Sequence, residues 1–233
     1  MVGERGCSTV ERMERVVVCD VVIPCRDEAA ALPLVLGAVP DGFRPIVVDN
    51  GSSDGTADVA RRLGATVIDE PRPGYGAAVH AGVMAATSDY LAVVDGDDSM
   101  DLGELPKLLR AVLDDGVTMA VGRRRPVRRG VWPWHARAGT TLLAAWLRRS
   151  SGFGVHDLAP MRVCRRDDLI ALDIRDRRFG YPLELMVNAA RAGWTVSEID
   201  IAYRPRAAGT RSKVSGSLRG TTQAARDFLA VLR

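Results

Sequence analysis

The sequence predicts an α/β fold built on a doubly wound, mostly parallel sheet with helices on both faces. Two features carry that expectation. Between residues 16 and 121, short β-branched and apolar runs alternate with helix-forming stretches, the pattern of parallel strands joined by crossover helices. Several of the apolar runs stop in loops rich in Asp, Asn and Gly, and open α/β sheets take their ligands at the carboxyl ends of their strands.

Residues 16–23 form a nearly continuous β-branched run closed by Pro24, which reads as a buried parallel strand. Cys25-Arg26-Asp27-Glu28 follows, then an alanine- and leucine-rich helix over 29–39. A second strand over 46–48 ends in Asp49-Asn50-Gly51-Ser52-Ser53-Asp54-Gly55-Thr56, where Asp54 or Thr56 can cap a helix running to Leu63. A third strand over 65–68 leads to Arg72-Pro73-Gly74-Tyr75-Gly76 and a helix over 77–86. Backbone amides at such a helix start favour phosphate or sugar oxygens, although close helix packing would also explain the two glycines.

The fourth strand, starting at Tyr90, runs straight into Asp95-Gly96-Asp97-Asp98. Two carboxylates flanking a glycine can converge on one hard cation. The same acids could instead cap the helix expected over 102–113, because Asp suits helix N-termini. A strand over 117–121 completes this half, and the character changes at Gly122. A basic run, Arg123 to Arg129, precedes Trp132-Pro133-Trp134 and a helix over 135–149 whose apolar residues recur at helical spacing. That helix fits a core element best, with an acceptor-site wall or an interfacial helix as alternatives. Strands over 161–164 and 194–203, a helix over 182–192 and a last helix over 218–232 follow.

Composition bounds the class. With 233 residues, 47% hydrophobic and 26% charged, the chain suits one sizeable domain. We expect residues 1–15 to be a flexible tail without the apolar core of a signal peptide, and 16–233 to be a single domain. No apolar run approaches the length of a bilayer span, so the expectation is a cytoplasmic protein with, at most, peripheral membrane contact. Four cysteines show no paired metal spacing and are expected as buried free thiols. The net charge of +3 is concentrated in two basic segments, around 123–129 and 204–219. They carry few aromatics for stacking, so anionic substrate groups or an anionic membrane fit them better than nucleic acid.

The ordered motifs resemble glycosyltransferase family 2, which has the GT-A fold. The resemblance covers residues 17 to about 220 and rests on Val22-Ile-Pro24-Cys-Arg-Asp-Glu28, Val47-Val-Asp49-Asn-Gly-Ser-Ser-Asp54-Gly-Thr56, Arg72 to Gly76 and Asp95-Gly-Asp97. The second half is similar to the polyprenyl-phosphate (dolichyl-phosphate) mannose and glucose synthase branch. The matching segments there are Gly122-Arg123, Trp132 to Arg137, Asp157 to Arg162, Tyr203 to Arg206 and Ser212 to Gly216.

The resemblance implies a nucleotide-sugar-binding half over 16–121, an acceptor-binding half over 122–216 and a C-terminal helix over 217–233. It implies that Pro24, Arg26 and Glu28 flank the nucleoside, that Asp49 recognises the base, and that Gly74 and Gly76 line the donor. Asp95 and Asp97 would hold Mg²⁺ or Mn²⁺, with Asp97 central to catalysis. Arg123 and Arg137 would hold an acceptor phosphate, while Arg206 and Lys213 would close over the donor diphosphate. Asp157 and Glu184 are candidate bases, and the alternative for Glu184 is that it complements a helix dipole.

The implied activity is inverting, metal-dependent transfer of a hexose from a UDP- or GDP-sugar to polyprenyl phosphate. Transfer to a soluble hydroxyl and non-catalytic nucleotide-sugar binding are the alternatives. Three positions depart from the pattern: Asn50 where many members have an acid, Ser99 where the synthases often have a glutamine ligand, and Gly139 where they often have a serine.

Overall fold

The computed structural model describes residues 19–158, 160–208 and 226–228. Its elements are β1 (Cys19–Cys25), α1 (Leu32–Gly37), β2 (Phe43–Asp49), α2 (Thr56–Arg62), β3 (Thr66–Asp69), α3 (Tyr75–Ala85) and β4 (Tyr90–Val93), then a 3₁₀ turn (Leu102–Glu104), α4 (Leu105–Leu113) and β5 (Met119–Pro126). The chain continues with α5 (Trp134–Ser151), β6 (Met161–Arg165), α6 (Arg166–Ala171), α7 (Tyr181–Arg191) and β7 (Val196–Tyr203). The tail, the first residues of the expected opening strand, Lys213 and nearly all of the expected last helix lie outside the described residues.

One sheet carries both halves, in the order β3-β2-β1-β4-β6-β5-β7. All neighbours pair in parallel except β6, which is antiparallel to both β4 and β5. The expected doubly wound, mostly parallel architecture is therefore present. Its strand order reverses beside β1, since β2 and β3 lie on one side and β4 on the other. That reversal opens a crevice at the carboxyl ends of β1 and β4.

Strand alternation divides the core. Val22, Val48, Val93, Val121 and Cys164 face α3 and α7, while Val21, Ile23, Val47, Ala92, Val94 and Val163 face α1 and α4. Both faces are covered, which explains why these strands read as continuous apolar runs. The helix expected over 102–113 opens as the 3₁₀ turn, which Asp101 caps by accepting a hydrogen bond from the Gly103 amide at 2.9 Å, and becomes α4 at Leu105 with Pro106 in its first turn. Cys19, Cys25 and Cys164 are buried free thiols, as anticipated.

The largest difference from expectation is β5. It does not stop at Val121 but continues through the basic run to Pro126, because β7 pairs with it in parallel along its whole length. Arg123 and Arg125 project beside the acids of β7, forming ion pairs with Glu198 at 3.7 Å and Asp200 at 2.8 Å. Opposite-charge pairs on one face of adjacent strands offset the low strand preference of arginine. Arg124, between them, projects to the other face.

Candidate active site

The loops after β1 and β2 are knitted together before any ligand is considered. Ser52 accepts from the Asp27 amide at 2.9 Å, and Asp27 accepts from the Ser53 amide at 2.8 Å. Thr56 accepts from the Glu28 amide at 2.9 Å, and Asp54 from the Ala29 amide at 3.0 Å. These bonds hold Pro24, Arg26 and Glu28 along one wall of a cavity of about 1260 Å³. Asp49, at the end of β2, is not among the lining residues, and its Oδ1 is buried without a hydrogen-bond partner among the described residues.

Asn50 lines the same wall and shows why an amide stands there. Its Nδ2 donates to the carbonyls of Glu70 and Arg72 at 2.9 and 2.8 Å, while its Oδ1 accepts from the Gly74 amide at 2.8 Å. A carboxylate could make only the last of these and would set its charge against two carbonyl oxygens. The Arg72 to Gly76 loop is thereby fixed. Gly74 lines the cavity with a φ of +143°, and a side chain there would strike the Arg177 carbonyl. Gly76, expected beside the donor, instead packs under the chain at Asp176 and Arg177, leaving no room for a Cβ. The amides of Gly76 and Ala77 donate to the carbonyls of Arg178 and Arg177 at 3.0 and 2.8 Å, so this helix start is already satisfied by protein.

Asp95 and Asp97 sit together at the end of β4, and both line the cavity. Gly96 between them is pressed on Cys25 and Ile23, where a Cβ would come within 2.5 Å of Sγ. Only glycine lets the two acids turn toward the same space. Burial, and then the charge of Asp97, push the Asp95 carboxyl above the usual carboxylate range, against the pull of Arg206, Arg124 and Arg162. Arg206 pairs with Asp97 at 2.9 Å. Its segment is strapped to the acid loop by Ala207 N donating to Asp97 O at 3.0 Å and Arg204 N to Ser99 O at 2.8 Å. Ser99 is buried outside the cavity lining. Among the described residues no group of three or more His, Cys, Asp or Glu converges as a metal site.

The other end of the cavity is built around Arg124. Asp157, 2% exposed, accepts from its Nε at 2.8 Å, its Nη2 at 2.7 Å and its backbone amide at 3.1 Å. The guanidinium lies 3.9 Å from the Trp132 ring centre and 5.4 Å from that of Tyr203. Such a two-pronged bond with aromatic stacking fixes an arginine firmly. From there Val131, Trp132, Pro133, Ala136, Leu142 and Leu143 give the cavity an apolar wall. It opens along α5, where Trp134 is 79% exposed and Leu142 71%.

The sequence placed Arg123 here, but strand parity turns it to Glu198, and Arg124 takes the cavity wall. Arg137 lies on an exposed part of α5 and is not a lining residue. Glu184 is also outside the lining, and its two oxygens accept from the amides of Arg175 and Asp176 at 3.0 and 2.7 Å. The sequence reading missed the placements of Arg124 and Asn50. The acids at Glu198 and Asp200, two residues apart, were the available signal for the parity of the arginine run.

Residues 20–166 match the family described as glycosyl transferase family 2. The chain belongs to glycosyltransferase family 2. It is 57% identical over 212 residues to an uncharacterized glycosyltransferase of Mycobacterium tuberculosis, covering 91% of this chain and 96% of that protein. It is 33% identical over 195 residues to a dolichyl-phosphate hexose transferase of Haloferax volcanii, covering 82% of this chain and 85% of the relative. Among solved structures it resembles glucosyl-3-phosphoglycerate synthase from M. tuberculosis in complex with Mn²⁺, UDP and glucosyl-3-phosphoglycerate. The TM-score is 0.74 at 24% identity, over 99% of this chain and 85% of the other. That likeness concerns the fold, which is GT-A. In a glycosyltransferase of this fold, the cavity that joins the acid pair to the Arg124 wall is the candidate active site.

Proposed function

We propose that this glycosyltransferase moves a hexose from a nucleotide diphosphate sugar onto polyprenyl phosphate, with inversion at the anomeric carbon. The observation that carries the acceptor class is the state of the two carboxylates read as candidate bases. Asp157 is committed to Arg124 and Glu184 to two backbone amides. A hydroxyl acceptor needs a base to take its proton, whereas a phosphate is already an oxyanion at neutral pH. Arg124 supplies a fixed cation for that phosphate, and the apolar wall running out to Trp134 and Leu142 suits an isoprenoid tail.

The donor is assigned to the opposite wall. Pro24, Arg26 and Glu28 are assigned to the nucleoside, Asp49 at the end of β2 to the base, and Gly74 to close backbone approach. Asp95 and Asp97 fit a divalent cation, Mg²⁺ or Mn²⁺. They are adjacent carboxylates whose mutual repulsion is met in the structure by the Arg206 guanidinium. Two protein carboxylates suffice when substrate phosphates and water complete the shell. Such a cation would neutralise charge on the departing diphosphate. Arg206, and Lys213 outside the described residues, are assigned to the same diphosphate.

No helix among the described residues is long and apolar enough to cross a membrane. We assign membrane contact to the face bearing Trp134, Leu142 and the exposed Arg128 and Arg129. A thermal-shift panel of UDP, GDP, UDP-glucose and GDP-mannose with and without Mn²⁺ tests the donor side. Stabilisation by one base series that needs Mn²⁺ is expected, and no response to any of the four contradicts the reading.

A further inference from the structure

Arg162 is among the largest fully buried side chains, 1% exposed, and it makes no ion pair with any other described residue. It projects from β6 opposite Val93 and Val121, on the face covered by α3 and α7. Its Nη2 donates to the Tyr75 hydroxyl at 3.1 Å, while Nε and Nη1 have no hydrogen-bond partner among the described residues. A guanidinium this deep with two unused donors is a costly feature for a fold to keep on packing grounds alone. It is also one of the residues lining the active-site cavity.

Position narrows the ligand. Arg162 stands two residues deeper than Asp95 across the β4–β6 pair, and its charge acts directly on that carboxyl. Arg206 is on the acid-loop side of the pair, and Arg124 lies toward the apolar wall. Arg162 and its partner Tyr75 line the same cavity as these two arginines. In a nucleotide sugar, the group joined to the terminal phosphate is the transferred hexose.

We propose that Arg162, oriented by Tyr75, recognises an oxygen of the transferred hexosyl group and so helps to determine which sugar is accepted. This rests on the donor assignment above. A ring hydroxyl and a C6 carboxylate are both acceptors for a guanidinium, and the carboxylate would add charge pairing.

The test compares Arg162→Met with the unaltered protein in three readouts. Calorimetry with Mn²⁺ measures binding of UDP, UDP-glucose and UDP-glucuronate, or of GDP and GDP-mannose if the guanine series binds. The subsite requires that affinity for the free nucleotide changes less than about twofold, while affinity for the nucleotide sugar falls about 10- to 100-fold, the loss of one charged hydrogen bond. A fall larger for UDP-glucuronate than for UDP-glucose identifies the carboxylate as the partner, and the reverse identifies a hydroxyl. Thermal unfolding is expected to show no loss of Tm, since replacing an unpaired buried ion by an apolar chain of similar length is neutral or stabilising.

Equal weakening of nucleotide and nucleotide sugar overturns the proposal, as does a lowered Tm with binding unchanged. A rise in acceptor KM alone overturns it too and would move Arg162 to the acceptor. If the unaltered protein binds none of the five ligands, the donor reading itself fails and the subsite with it. Tyr75→Phe is a second variant that keeps the guanidinium, and a partial loss confined to the sugar-bearing ligands is expected.

Discussion

Replacing Asp97 by asparagine is expected to lower hexose transfer by about 10³-fold or more, the scale seen when charge stabilisation of a leaving group is removed. Asparagine keeps the shape and can still accept from the Ser99 amide, now at 3.0 Å. What it loses is the charge that pairs with Arg206 at 2.9 Å and, on our reading, with the cation. Initial rates and Mn²⁺ titration should fall together in this variant. Asp98→Asn is the control. Asp98 has a φ of 61°, a left-handed conformation that asparagine accommodates, so near-normal rates are expected there. Transfer within tenfold of normal in Asp97→Asn, with cation affinity intact, would contradict the assignment.

The second large effect is expected at Asp157, and it separates two roles. If Asp157 held Arg124 in place, Asp157→Ala would strand a mostly buried guanidinium, with a stability loss of about 3–5 kcal/mol in a urea titration. The milder Asp157→Asn keeps one acceptor for Arg124 and should fold. In that variant the KM for polyprenyl phosphate is expected to rise about 10-fold or more while the donor KM stays put. The pH profile of kcat should keep its shape. A fall in kcat with a displaced acidic limb would instead mark Asp157 as the base.

Much of this was legible in the sequence because it follows from local rules. The apolar runs of β1, β2 and β4 and their acid-rich ends place the crevice, and Asp95-Gly96-Asp97 marks the acid pair within it. What was not legible depends on partners far along the chain. Nothing in Met161–Arg165 says that it inserts antiparallel between β4 and β5. That insertion puts Arg162 under the cavity. The expected strand ends at Val121 because the strand identity of the arginine run after Gly122 comes from β7, more than seventy residues later. Ending the strand at Val121 hides the alternation that turns Arg123 to Glu198 and Arg124 to the cavity. Glu184 at its helix start fits either a base or a structural acid until the 175–176 amides are placed against it. Asn50, read as a departure from the family's acids, becomes intelligible only once two carbonyls and one amide converge on its side chain.

The proposed nucleophile is a lipid phosphate. This is tested most directly by incubating the protein with Mn²⁺ and radiolabelled UDP-glucose or GDP-mannose, in parallel with polyprenyl phosphate, unphosphorylated polyprenol and 3-phosphoglycerate. Label is expected in the organic phase with polyprenyl phosphate alone. Equal labelling of polyprenol, or label transferred to 3-phosphoglycerate in its place, would contradict it.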